Sequence, residues 1–236
     1  GLQKLNISII SPDTDIPPIF QNKVNIMVTD IKKVKKAKRR NQVSYTKVIN
    51  SDFEVMGKIG KKISFVITSP PYLNRNNYIA QQKMELSLLS LVKTKEEYKK
   101  LVQSTFRSHT ESDLKTNDRT FVNSNVKKIV KNITLSHNNN PKIPEMIIGY
   151  FNDLEKTIII LSSLLASGAK CAFVVGNSRW GGIVVPVDYI LADIAEKNGF
   201  KVEEIIVTRL KGNSPQQMKK YGKIPVRESI VIFKKM

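Results

Sequence analysis

Hydrophobic residues in this chain fall in short blocks of two kinds. Four blocks have strand length and are rich in β-branched residues: KKISFVIT (61–68), AKCAFVVGN (169–177), VEEIIVTRL (202–210) and ESIVIFKK (228–235). Continuous apolar runs of this size predict strands buried in a sheet. KVNIMVTD (23–30) and YTKVINSDF (45–53) predict two further, shorter strands, with Asp30 and Asp52 near their ends. Other blocks follow the helical period. NYIAQQKMELSLLSLV (77–92) predicts a helix, as does EMIIGYFNDLEKTIIILSSLLASG (145–168), closed by Gly168. PVDYILADIAEKNGF predicts a third, with Pro186 near its first turn and Gly199 at its end.

Strands alternating with helices and ending in two strands imply an α/β layered sheet with a C-terminal antiparallel pair. From Lys93 to about Pro144 the periodicity dissolves into a polar, amide-rich, basic stretch. It reads as an inserted surface subregion holding two short helices, within a domain that otherwise takes up residues 1–236. Ligands of such sheets bind outside the carboxyl ends of the strands. Asp30, Asp52, Ser69–Tyr72 and Asn177–Ser178 would all fall there.

Composition narrows the class. Lys and Arg total 39 against 20 Asp and Glu, a net charge of +19. A field of that sign favours a polyanion, most often nucleic acid; the alternative is a lysine-rich solubilising surface. The basic run KKVKKAKRR (32–40) carries Lys35, Lys36, Arg39 and Arg40, which read as phosphate contacts or as a solvated helix face. One cysteine, Cys171, excludes an internal disulfide and suits a reducing cytoplasm; its neighbours make it a core residue. There is no apolar run long enough for a transmembrane helix, and the N-terminus lacks a signal-peptide pattern. Two isolated histidines and one cysteine make no metal site.

The stretch TSPPYLN (68–74) carries the chemistry. Two prolines stop a strand ladder and freeze the backbone that follows. A hydroxyl, a rigid carbonyl and an aromatic ring are thereby held together. A strand followed by Ser-Pro-Pro-Tyr resembles the catalytic segment of amino-group DNA methyltransferases, and its serine is most similar to the cytosine-N4 branch. The resemblance implies a Rossmann-like sheet, partial or permuted, that uses S-adenosylmethionine (SAM) on double-stranded DNA in a restriction–modification type system. It implies that Ser69 and the Pro70 carbonyl accept hydrogens from the target exocyclic amine. Pro71 would stiffen the wall, and Tyr72 would stack on an extruded base. The helix after the motif, with Lys83, Glu85 and Leu86, is similar to the family's Lys-x-Glu-Leu helix, and IPVRESIVIFKK to its closing strand.

The resemblance further implies that Asp52, Phe53, Asp30 and Asn177 face the cofactor, a turn aspartate being the alternative for Asp52. It implies that Asn74, Arg75, Lys83, Arg179 and Trp180 face DNA, with local packing an equal alternative for Trp180. Arg227 and Glu228 read as a structural salt bridge before a catalytic pair. Target reading would fall to residues 93–144 and the 210–226 connection, both basic and amide-rich. One part of the pattern is missing: the chain contains no G-x-G, so the glycine loop that approaches the methionine part of SAM is not in this sequence. Three accounts fit: a second polypeptide carries the loop, a longer chain carries it, or the chain is a catalytically silent DNA-binding or specificity subunit. Adenine-N6 specificity, and amino-group transfer to RNA or protein, are the rival chemistries.

Overall fold

A computed structural model describes residues 16–37, 47–49, 51–53, 62–114, 124–136, 140–212 and 215–236. The chain divides into two units, 1–50 and 51–236. In the first, α1 spans Ile16–Ala37. Pro17 and Pro18 stand in its first turn, where missing N–H groups cost nothing. Phe20, Val24, Met27, Ile31 and Val34 then recur every three to four residues on one side. The strand expected at 23–30 is therefore helix, because the longer 3.6-residue period overrides a short β-rich window. Asp30 lies inside that helix, 3.8 Å from Lys33, and ends no strand. The strand expected at 45–53 is likewise not formed among its described residues: 47–49 and Asp52 have no regular structure, and Phe53 has 3-10 geometry.

The second unit is a mixed α/β layer around a four-stranded sheet. Its strands are β1 (Ile63–Thr68), β2 (Leu165–Gly176), β5 (Phe200–Lys211) and β6 (Val226–Lys235), in the order β1-β2-β6-β5. β1 runs parallel to β2; β6 is antiparallel to both β2 and β5. A two-stranded hairpin, β3 (Ser178–Trp180) and β4 (Ile183–Val185), follows β2 directly. One sheet face packs on α6 (Lys142–Leu164) and α7 (Val187–Lys197) through Phe173, Cys171, Val231 and Phe233, all fully buried. Burial pushes the Cys171 thiol up to about 11, so it stays protonated.

Helix α6 ends at Leu164, four residues short of the expected glycine stop. Leu165 pairs with Ile63 of β1, and the ladder resumes at Phe65 opposite Lys170. Gly168 sits in the intervening bulge at φ +79°, the left-handed conformation only glycine adopts cheaply, so it shapes a strand rather than a helix end.

The helix expected at 77–92 is two short helices, α2 (Tyr78–Gln81) and α3 (Lys83–Leu88). Asn77 caps α2 by accepting from the Ala80 amide, and Gln82 leaves helical geometry between them. Met84, Leu88, Leu89 and Leu91 are exposed rather than core. Among its described residues the 93–144 stretch holds α4 (Lys95–Gln103), started by a Thr94–Glu97 capping box, α5 (Ser124–Leu135) and the start of α6. It is more than a surface insertion, since Val102, Val126, Ile133 and residues 107–109 are buried. The β5–β6 connection contains α8 (Pro215–Tyr221).

Strand β1 pairs on one side only among the described residues. Val66 is half-buried beside the core, whereas Phe65 and Ile67, on the opposite face, are 52% and 73% exposed. No described helix is long and apolar enough to cross a membrane.

Candidate functional site

One end of the sheet gathers the chemistry. β1 stops at Thr68, and Ser69–Tyr72 extends from it without regular structure because neither proline can donate to a ladder. The Ser69 hydroxyl is exposed and donates to the Val174 carbonyl at 3.3 Å, which leaves oxygen lone pairs to accept from a substrate. Leu73 is fully buried and anchors the segment from behind. The Tyr72 ring lies against Gly176 at the end of β2. A Cβ there would come within 2.9 Å of the ring, so this approach requires glycine.

The roots of β5 and β6 close the other side. Gly176 pairs with Glu228, and Glu228 with Arg209. The Glu228 carboxylate accepts from Arg209 Nε at 2.7 Å, from Arg209 Nη2 at 3.2 Å, and from Lys211 Nζ. The Lys211 ammonium also stands 4.9 Å from the centroid of the Tyr72 ring. The Tyr72 hydroxyl meets Ser69 and Glu228. Burial pushes that phenol above its ordinary value, with Ser69 opposing and Glu228 reinforcing the shift. Arg209 foremost, then Lys211 and Tyr72, bring the Glu228 carboxyl down to about 2, against the burial that alone would raise it. A carboxyl depressed on folding stabilises the protein above its unfolded value and loses that contribution as pH falls through its folded value. Wild type is therefore expected to lose stability on this account between about pH 4.5 and 2, and Glu228→Gln to show a shallower slope there in urea unfolding.

Beside this end lies a cavity of about 580 Å³. Asp52, Phe53 and Pro71 line it, with Gln103–Arg107, Asp113, Asp153, Lys156 and Thr157. Its size is that of a small-molecule site. Its wall carries a buried ion pair: the Arg107 amide donates to Asp153 Oδ2 at 2.8 Å, and its Nε and Nη2 to Oδ1 at 2.9 and 2.5 Å. Gly149 makes room for that guanidinium arm, since a Cβ would meet Arg107 Cδ at 2.7 Å. Next to it His109 is buried, and burial lowers its pKa. Its Nδ1 accepts from the Glu111 amide, which fixes the neutral tautomer with Nε2–H directed to Thr105 Oγ1 at 2.8 Å. Among the described residues, no three His, Cys, Asp or Glu side chains group as a metal site.

The structure thus places Asp52, Phe53 and Pro71 around one cavity, and other expected site residues elsewhere. Asn177 accepts from the Asp188 amide through its Oδ1 and so caps the start of α7. Burial alone would raise the Asp188 carboxyl, but Arg227, Ser229 and Asn177 together hold it below the ordinary range. Arg227 and Glu228 do not pair with each other; Arg227 Nε donates to Asp188 at 2.6 Å and Glu228 faces β5. Arg179 and Trp180, expected to face DNA, are 6% and 8% exposed. Arg179 donates to the carbonyls of Gly182, Gly222 and Tyr221, which ties the α8 connection to the β3–β4 hairpin. The Trp180 indole donates to Ser178 Oγ. Asn74, Arg75 and Lys83 are exposed, Arg75 at φ +63° and Lys83 with its ammonium over the Tyr98 ring. Lys35 and Lys36 form the last turn of α1; Arg39 and Arg40 lie outside the described residues. Sequence reading missed Arg107, Asp153, Arg209 and Lys211. A lone aspartate inside the apolar run of α6 was the available signal for Asp153.

No protein-family profile matches the chain. It is 30% identical over 255 residues to the Type II methyltransferase M.BsoBI of Geobacillus stearothermophilus, an alignment covering 97% of this chain and 50% of that protein. It is 32% identical over 183 residues to the Type II methyltransferase M.AvaI of Nostoc sp. and of Anabaena variabilis, covering 72% of this chain and 38% of each of those. A solved structure from Thermus thermophilus, presented as a candidate DNA modification methylase, matches 36% of this chain at 22% identity. Its TM-score of 0.29 is too low to bear on the fold. The homologues of this chain are type II DNA methyltransferases, as the resemblance read from Ser69–Tyr72 implies. The chain spans about half the length, or less, of the curated relatives it matches.

Proposed function

We propose that this chain is the amine-binding part of a site-specific DNA methyltransferase that uses SAM and modifies the N4 amine of cytosine in a restriction–modification type system. The observation that carries the reading is the rigid Ser69–Tyr72 segment at a sheet end beside a cavity lined by Asp52, Phe53 and Pro71. A carboxylate and an aromatic ring suit the hydroxyl-rich, adenine-bearing end of the cofactor, and Asp52 and Phe53 would hold it. SAM, when bound, supplies an activated methyl group, so no metal or covalent nucleophile is called for. The Ser69 hydroxyl and Pro70 carbonyl accept the amine's hydrogens and orient its lone pair; Tyr72 presents a flat face to the base. Serine at position 69 favours cytosine, with adenine N6 the nearest rival.

The glycine loop absent from this sequence would come from a segment outside it. The half-length match to its relatives and the open, apolar β1 support that view. On this reading the four-stranded layer is part of a Rossmann-like methyltransferase sheet, acting on cytoplasmic double-stranded DNA. The basic 93–144 region and the α8 connection would read the target. On this view, neutralising Lys35, Lys36, Arg39 and Arg40 weakens binding to DNA of any sequence and lowers the slope of log affinity against log salt by about 3–4. An unchanged slope in a fluorescence titration would remove that run from the interface.

The test is methyl transfer from labelled SAM to unmethylated genomic DNA, by the chain alone and with the product of a neighbouring gene, with mass spectrometry of the nucleosides. N4-methylcytosine is the expected product. N6-methyladenine would assign the rival specificity, and DNA binding without any methylated base in either assay would make the chain a silent subunit.

A further inference from the structure

The charged side chains at the root of the β5–β6 hairpin take no part in the reaction described above, although their backbones lie in the ladder. Glu228 is 6% exposed, yet it stands on the first residues of β6 and faces the ring of Tyr72 rather than the core. Arg209 and Lys211 reach it from the last residues of β5. Lys211 contacts both the carboxylate and the ring. These are long side chains, and Arg209 is largely exposed; a surface ion pair would leave them free to sample many rotamers. Here two cations converge on one carboxylate that a third group, the Tyr72 hydroxyl, also meets. The backbone side of the ring is fixed by Gly176, which is the ladder partner of the same Glu228.

We infer that Glu228 and Lys211 are positioning residues that hold the Tyr72 ring in the attitude required to receive a nucleobase, and that they link it to the hairpin carrying α8. This rests on the reading of Tyr72 as a base platform. The physical case is that a ring on a loop of prolines has a fixed Cα but free χ torsions. Lys211, held by the Glu228 carboxylate, stands near the ring face and opposes its swinging out, and Gly176 backs the ring from the other strand. Because β5 and β6 are the two stems of the α8 connection, with Lys219 and Lys220 in the last turn of α8, any pull on that basic loop acts first on Arg209, Lys211 and Glu228. The base platform and the basic loop therefore share one anchor.

The experiment is NMR of the full chain with tyrosine rings labelled with ¹³C, Tyr72 being assigned through Tyr72→Phe. The probe is a single-stranded oligodeoxynucleotide of mixed sequence. The wild type is expected to show one Tyr72 ring resonance that shifts saturably with the probe. Glu228→Gln and, separately, Lys211→Met are expected to move or broaden that resonance, leave those of Tyr98 and Tyr150 in place, and weaken its response to the probe by about tenfold, the size of one charge-assisted hydrogen bond. Lys211→Met removes a partly exposed side chain and keeps the test available if Glu228→Gln unfolds. A Tyr72 resonance and probe response unchanged in Lys211→Met and in any folded Glu228 variant would overturn the inference and leave the reading of Tyr72 intact. A wild-type ring that ignores the probe would instead overturn Tyr72 as a base platform, and the inference with it.

Discussion

Asp153→Ala is expected to lower the unfolding free energy by about 3–5 kcal/mol. Asp153 accepts three hydrogen bonds from Arg107 inside the cavity wall, where both side chains are almost wholly buried. Removing the carboxylate strips the buried Arg107 side chain and backbone amide of three hydrogen bonds in a low-dielectric site, and that loss is the larger part of the cost. The pair itself is a weaker source of stability than the loss suggests, since two buried charges are costly to bring out of water. The double variant Arg107→Met/Asp153→Leu is therefore expected to recover much of the difference. Urea unfolding of the three variants checks this. A loss below about 1 kcal/mol for Asp153→Ala, the scale of a surface pair, would show that water reaches the pair. Because the Arg107 backbone amide is one of the donors, Asp153 also fixes the path of residues 104–108, so the same variant is expected to reshape the cavity.

The second large effect is chemical. In a preparation that methylates DNA, Ser69→Ala is expected to cut single-turnover methyl transfer by about 10²–10³-fold, the usual cost of removing one aligned hydrogen-bonding group from a reacting centre. Tyr72→Ala is expected to act as strongly by removing the stacking face. Tyr72→Phe keeps the face and loses only the hydroxyl, so its loss should be much smaller. Unfolding profiles should hardly change for Ser69→Ala, because the hydroxyl is exposed and its single long bond to Val174 contributes little. Near-full transfer by both Ser69→Ala and Tyr72→Ala would dismiss the segment as the site.

How much of this was legible in the sequence depended on how far apart the interacting residues lie. The four sheet strands and α7 were readable because their apolar runs and punctuating Pro186 and Gly199 act locally. Windows of eight residues misled at 23–30, where Pro17 and Pro18, a few residues earlier, had already started a helix. Gly168 misled because glycine serves helix ends and bulges alike; only Ile63, about a hundred residues away, decides between them. In the site, Ser69–Tyr72 was legible because its chemistry is contiguous. The Arg107–Asp153 pair and the Arg209–Lys211–Glu228 cluster were not, since each charge is ordinary in its own segment and acquires meaning only across the fold. Asn177 and Arg179 show the converse: polar residues after a strand suggest a ligand, but here they satisfy the backbone of the next helix and loop.

The side of β1 left unpaired among the described residues bears on how the protein behaves in a test tube. A strand edge with open N–H and C=O groups and with Phe65 and Ile67 turned outward is a template for any other extended chain. Made by itself at high concentration, the chain is expected to form aggregates that begin at this strand, and its net charge of +19 would slow but not abolish their growth. Charged substitutions such as Ile67→Lys act as gatekeepers against that course without touching the Ser69 segment one residue beyond the strand.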